Sequence, residues 1–153
     1  MALRKIFKDD DEVLFKKSKP VEKFDKRLTD LLEDLRDTMK DADGVGLAAP
    51  QVGLLRRVAV IEVDDIYLEM VNPQIISSEG EQIDVEGCLS VDPSKNCKVK
   101  RPKKIMLEAF DREGKKYKKE LEDMAARAVC HELDHLDGIL FYQKKYKENK
   151  KEA

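Results

Sequence analysis

With 153 residues, 30 basic and 32 acidic side chains and a net charge of −2, the chain has the length of one domain with its own core. Near-balanced charge, with no basic stripe interleaved with aromatics, excludes the electrostatic footprint of a nucleic-acid binder. No stretch approaches the ~20 apolar residues of a membrane span, the N-terminus lacks the apolar run of a signal peptide, and three cysteines without a pairing framework point to reduced thiols in the cytoplasm.

In chain order, residues 1–20 are charged with scattered apolar positions and read as an extended lead-in that folds over the body and closes at Pro20. Phe24, Leu28, Leu31, Leu32, Leu35 and Met39 then recur at three- and four-residue steps, which predicts a core-packing amphipathic helix ending near Asp41–Gly44. Gly44-Val-Gly-Leu-Ala-Ala-Pro-Gln51 follows, dominated by small residues. No Lys-Ser/Thr comes after these glycines, so they do not form a phosphate loop. The stretch reads as a tight turn or as a loop lining a substrate.

Arg56–Val63 and Tyr67–Val71 read as strands, the second halted by Asn72-Pro73. A strand and turn over Gln74–Gly80 and a returning strand over Glu81–Val85 come next. Glu86-Gly-Cys-Leu-Ser90 places one soft ligand beside a glycine. A β-hairpin is expected from Lys98 to Leu121, with its turn at Asp111–Gly114. The last helix is expected to start near Leu121 or Glu122 and to end at Gly138 as a C-cap. Of the 12 residues after Phe141, 5 are lysine, and this tail is expected to be flexible. The organisation expected is a single catalytic domain over residues 1–141 followed by the 142–153 tail. The fold class expected is α+β: antiparallel or mixed β-sheets around a central C-terminal helix, with a second helix near the N-terminus.

The central helix carries the only two histidines, in His131-Glu-Leu-Asp-His135. Four residues apart on a helix, they share one face and can reach a single metal ion. Glu132 lies about 100° around the helix, placed to act on water without being a ligand. A catalytic metal needs a third protein ligand and an open position. The extended metalloprotease motif would put a histidine at position 141, which is phenylalanine, and the short tail leaves no second helix to present a downstream glutamate. The third ligand should therefore lie upstream, where Cys88 is the best candidate. Cys130 and Cys97 read as ordinary buried thiols.

Gly44-Val-Gly-Leu-Ala-Ala-Pro-Gln51, Glu86-Gly-Cys-Leu-Ser90 and His131-Glu-Leu-Asp-His135 together resemble the three signature motifs of the peptide deformylases, in that family's order and at similar separations. The resemblance extends to Asn72-Pro73, Arg101-Pro102 and Leu136–Phe141. It implies a hydrolase that removes the N-formyl group from the initiator methionine of new polypeptides and releases formate. The implied metal ligands are Cys88, His131 and His135. The implied cofactor is one Fe²⁺ per chain, with Zn²⁺, Ni²⁺ or Co²⁺ as substitutes. Glu132 would take the proton of the metal-activated water and pass it to the leaving amine, while Gln51 and the Leu89 N–H would face the formyl oxygen. Gly44, Val45 and Gly46 from the first motif, and Glu86 and Gly87 from the second, are expected to line the substrate. The methionine side chain is expected against Met124, Ala128 and the stem of Arg127. Glu86 and Asp134 are candidates to orient the histidines.

The chain departs from the family at Ser90-Val-Asp-Pro-Ser94, by one inserted residue or a displaced proline, before a loop that offers Lys95 and Asn96 where an arginine is common. That departure bears on substrate affinity rather than on metal binding. The partners expected are formyl-methionyl nascent chains and the ribosome, with no membrane and a monomeric state. The alternative is a related metallohydrolase acting on another small N-acyl amide.

Overall fold

The computed structural model describes residues 2–148. Its frame is a five-stranded antiparallel sheet in the order β1 (Gly46–Ala48), β2 (Val58–Val63), β3 (Ile66–Glu79), β6 (Lys104–Phe110), β7 (Lys116–Glu122). A separate two-stranded sheet pairs β4 (Gln82–Glu86) with β5 (Cys97–Arg101). The α+β expectation holds, with helix α1 (Lys26–Asp41) near the N-terminus and helix α2 (Asp123–Leu136) carrying both histidines.

The large sheet lies between the two helices, and β2 shows why. Its side chains alternate from one face to the other, as a pleated strand demands. Val58 and Val60 pack with Leu28, Leu31, Leu32, Leu35 and Met39 of α1, while Ala59, Ile61 and Val63 pack with α2. Helix α1 follows the predicted periodicity, and its first turn is capped by Asp25, whose carboxylate accepts the Leu28 N–H at 3.1 Å. Helix α2 presents Ala125, Ala126, Ala128 and Val129 to the sheet. These small side chains let the helix lie close to the strands, which carries its histidines deep into the protein. A third cluster, built from Leu14, Val91, Val99, Leu140 and Phe141, backs β5 and the second motif.

Several expectations are corrected. The glycine-rich stretch is neither a bare turn nor a loop: Gly46–Ala48 pairs with β2, and a short 3-10 turn over Ala49–Val52 follows. Asn72-Pro73 does not halt its strand. Asn72 takes a positive φ of 49° within a register shift between Val71 and Gln74, and its side chain accepts the Val21 N–H and donates to the Val21 carbonyl. The bulge absorbs the proline, so β3 runs on. The hairpin expected from Lys98 begins at Lys104, because residues 97–101 pair with β4 in the other sheet. Leu121 and Glu122 end β7 and do not open α2.

The end of α2 is packed hard. Gly138 has φ +75°, and a Cβ there would lie 2.7 Å from the Phe15 backbone, so only glycine fits. The Ser18 N–H and the Arg57 guanidinium both donate to the Leu136 carbonyl. After Phe141 the chain does not leave the surface at once. Residues Phe141–Lys144 form a 3-10 turn, Lys145 bridges Val99, and the Tyr146 N–H donates to the Lys98 carbonyl at 2.7 Å. The boundary expected at 141/142 thus falls inside an ordered turn. Residues 149–153 of the tail lie outside the described residues.

Candidate active site

The three motifs converge because three different elements deliver them. Cys88 follows β4, His131 and His135 stand on α2, and Gln51 sits in the 3-10 turn after β1. One ligand atom each from Cys88, His131 and His135 lies within 4.8 Å of the others. Cys88 Sγ is 3.3 Å from His135 Nε2. Both histidines are buried and Cys88 is half-buried, so the trio has one open side.

That open side is a cleft of about 160 Å³. Gly44, Val45 and Gly46 form one wall, Val85–Leu89 form the facing wall, and Met124, Arg127, Ala128, His131 and Glu132 form the floor. Every residue expected to contact substrate lies on this cleft. Two of the glycines are there for space. A Cβ on Gly44 would come 2.6 Å from Leu89 Cδ1, and one on Gly46 would collide with Glu132 Oε2. Val45, Val85 and Met124 stay 50%, 54% and 51% exposed, an apolar rim left open at the mouth.

Gln51 is 1% exposed. Its Oε1 accepts the Ala48 N–H at 3.0 Å, which fixes the amide so that Nε2 points inward. Nε2 donates to Ser90 Oγ at 3.1 Å and lies 3.6 Å from Cys88 Sγ. Leu89 lines the same cleft beside the cysteine. The Gln51 amide is thereby brought beside Cys88, with Leu89 next to it in the cleft wall.

Glu132 is buried, and its Oε1 has no hydrogen-bond partner among the described residues. Burial raises its carboxyl to about 7, against the pull of nearby His131 and with the push of Glu86. A carboxyl poised near neutrality with a free oxygen in a cleft is equipped to take and give a proton.

Behind the histidines stands an ionic cluster that sequence reasoning anticipated only in outline. Glu86 Oε1 accepts from His131 Nδ1 at 2.9 Å; the same carboxylate is gripped by Arg101 at 2.8 and 2.9 Å and by Arg127 Nη1 at 2.6 Å. Burial would raise the Glu86 carboxyl, but the Arg101 and His131 hydrogen bonds outweigh it and hold it at about 2. An acceptor that stays anionic puts the proton on Nδ1 and leaves His131 Nε2 for a ligand. Asp134 acts one step further out, accepting from Arg101 Nη1 at 2.7 Å and from Lys144 at 2.9 Å. Arg127, expected to lend its stem to a methionine slot, is buried with its charge turned toward Glu86. Arg101 and Ser90 were not anticipated; Arg101-Pro102 had been noted only as part of the resemblance.

The donor set fits a metal ion on this structure's own terms. For His131 burial disfavours charge, yet Cys88 and Glu86 outweigh it and lift the imidazole to about 10. The Glu86 carboxylate on Nδ1 leaves a lone pair on the far nitrogen of His131 for a cation. One sulfur and two imidazole nitrogens suit zinc, copper or iron rather than magnesium or calcium. Cys97 and Cys130 stand apart; Cys130 is pushed up to about 11 by burial, as expected of an inert thiol.

Comparisons with known proteins agree with this geometry. The family model described as polypeptide deformylase matches residues 3–151. A peptide deformylase of Caldicellulosiruptor bescii is 57% identical over 144 residues, covering 94% of this chain and 86% of that protein. One from Alkaliphilus metalliredigens is 51% identical over 148 residues, covering 97% and 100%. Among solved structures, the peptide deformylase of Thermotoga maritima superposes with a TM-score of 0.92 at 37% identity, covering 96% of this chain and all of that one.

Proposed function

From the premise that this chain belongs to the polypeptide deformylase family, we propose how its cleft removes the N-formyl group from new polypeptides. The observation that carries the reading is the convergence of Glu132 and Gln51 on the Cys88, His131 and His135 trio in one cleft.

Cys88 Sγ, His131 Nε2 and His135 Nε2 would hold the metal, proposed as ferrous iron. Such an ion, when bound, supplies Lewis acidity that polarises a carbonyl and makes water a nucleophile near neutral pH. Glu132 Oε1 takes a proton from the attacking water and then delivers it to the leaving amine. As negative charge builds on the formyl oxygen, Gln51 Nε2 and the Leu89 N–H donate to it. Each such donor is typically worth about 10²–10³ in rate.

Selection for formyl follows from crowding. With Gly46 already against Glu132 and Gly44 against Leu89, the space over the trio accepts a carbon bearing only hydrogen. The methionine side chain covers the open rim of Val45, Val85 and Met124, which supplies apolar burial that water does not. Substrate is thus read from both sides: a tight wall for the acyl group, an apolar rim for the residue behind it.

None of the described helices is long and apolar enough to cross a membrane. The chain is proposed to act as a cytoplasmic monomer on nascent polypeptides, and its lysine-rich tail is proposed to contact the ribosome. Co-sedimentation unchanged by removing the tail would count against that last contact.

The test pairs anaerobic metal analysis with a formate-release assay on a formyl-methionyl peptide. The expected result is one metal per chain, formate release by the wild type, and retained metal without formate in Glu132→Ala. Iron-loaded wild type that releases no formate would sink the proposal.

A further inference from the structure

Residues 87–91, which carry Leu89, belong to no strand. The Val91 N–H donates to the Cys88 carbonyl at 3.1 Å, which holds the Cys88–Leu89 peptide that carries the Leu89 N–H, but no strand ladder holds the Leu89–Ser90 peptide that follows. A backbone donor stabilises developing charge only if it is aimed in advance. What fixes the far side of the Leu89 Cα must therefore come from elsewhere in the fold.

It comes from three consecutive residues of the N-terminal lead-in. The Phe7 N–H donates to the Gln51 carbonyl at 2.7 Å and the Asp9 N–H donates to the Ser90 carbonyl at 2.9 Å. Between them, Lys8 Nζ donates to the Leu89 carbonyl at 2.9 Å. Asp9 is itself fixed, accepting from Lys95 Nζ at 2.8 Å and from Tyr142 at 3.1 Å. One short segment thus ties together the backbone of both residues that face the formyl oxygen. Lys8 is the member of this clasp that acts by its side chain on Leu89 itself. Its flexible stem would otherwise leave the ammonium in water, and an ammonium held on a carbonyl is a charge-assisted bond, stronger than a neutral one.

We propose that Lys8 is a positioning residue for deformylation, holding the Leu89–Ser90 peptide so that, with the Cys88–Leu89 peptide held by Val91, the Leu89 N–H stays aimed at the formyl oxygen. The inference rests on the reading of the cleft given above. It assigns Lys8 no contact with substrate, so its loss lowers turnover rather than binding. It also makes Lys95, which takes the place of the family's arginine in the departing loop, a brace for Asp9 rather than a free hand for the peptide.

Lys8 makes an exposed hydrogen bond, so its variants are expected to fold. The experiment measures kcat and KM of wild type, Lys8→Met and Lys8→Arg on a formyl-methionyl peptide, with the metal content of each. Lys8→Met is expected to lower kcat three- to tenfold with KM within twofold and metal content unchanged, and Lys8→Arg to recover at least half of the lost kcat. A Lys8→Met kcat within 1.5-fold of wild type overturns the proposal. So does a loss expressed only in KM, or a Lys8→Arg variant as slow as Lys8→Met. A metal-loaded wild type that releases no formate overturns instead the reading of the cleft.

Discussion

Adding one methyl group at Gly46 isolates the placement of Glu132 from everything else in the site. Gly46 has no positive φ, so alanine meets no backbone penalty there. The new Cβ would collide with Glu132 Oε2 and lie 2.9 Å from Cδ and 3.2 Å from Cγ. Carbon atoms settle at roughly 3.5–4.0 Å, so the carboxylate has to retreat by about 1 Å. Glu132 is 4% exposed and has no empty side to retreat into except the cleft. Displacing a reacting group by about 1 Å costs on the order of 10²-fold in rate, and we expect that loss in kcat/KM for Gly46→Ala.

Stability should move much less. Stiffening the unfolded chain contributes about 0.4–1 kcal/mol, while overpacking costs about 1–3 kcal/mol. The net is a loss of roughly 2.6 kcal/mol or less, a melting shift of no more than about 10 °C for a chain of this length. The atoms nearest the new Cβ all belong to Glu132 and not to the three proposed metal ligands, so metal content should match wild type. A formate-release assay with metal analysis on the same samples decides the matter. A metal-loaded Gly46→Ala enzyme within threefold of wild type would refute the reasoning, since it would mean that Glu132 need not stand where the structure puts it.

Two further outcomes concern stability. Arg101→Met leaves the buried Glu86 and the half-buried Asp134 carboxylates short of their shared partner; with Arg127 still on Glu86, the expected cost is near the lower end of about 3–5 kcal/mol by urea unfolding, and a loss under about 1 kcal/mol would contradict it. Asp34 is held at about 2: burial raises its carboxyl, but bonds including those from the Ala2 N–H at 2.7 Å and Arg4 Nε at 2.8 Å outweigh it. A depressed carboxyl stabilises the fold above its unfolded pKa and loses that contribution as pH falls through its folded value. After allowance for solvent around the part-exposed Arg4, the contribution is about 1–2 kcal/mol at neutral pH. Asp34→Asn should therefore lower the urea midpoint at pH 6, and the gap from wild type should narrow between pH 4 and 3. A gap of constant size would show that Asp34 does not act through its charge.

The chemistry of the cleft was legible in the sequence wherever it depends on spacing along the chain. Two histidines at i and i+4 face one way on any helix, and the phenylalanine at position 141 breaks the extended metalloprotease motif, which leaves Cys88 as the soft ligand to pair with them. The alternation in β2 and the periodicity of α1 were readable for the same reason. What sequence could not convey is how strands divide between sheets. Residues 97–101 alternate as well as residues 104–110 do, and only tertiary packing sends the first run to β4 and the second to β3. Asn72-Pro73 misled because a proline normally ends a strand, whereas here a positive-φ asparagine and a bulge carry the strand past it. The ionic cluster around Glu86 was legible only in its Glu86 and Asp134 members, for a different reason. Its members lie at positions 86, 101, 127 and 134 on three elements, and nothing local to Arg101 marks it as buried.

That cluster has a consequence for how the protein answers to metal supply. Because one carboxylate joins His131 of α2 to Arg101 of β5 from its own place at the end of β4, the histidine cannot change its charge without the small sheet feeling it. A cation held by the trio would therefore bear on α2, β4 and β5 together, so ligand occupancy and local stability are expected to be linked quantities. Scarcity of metal would then be sensed first as faster amide exchange along β4 and β5, with the large sheet and α1 left quiet.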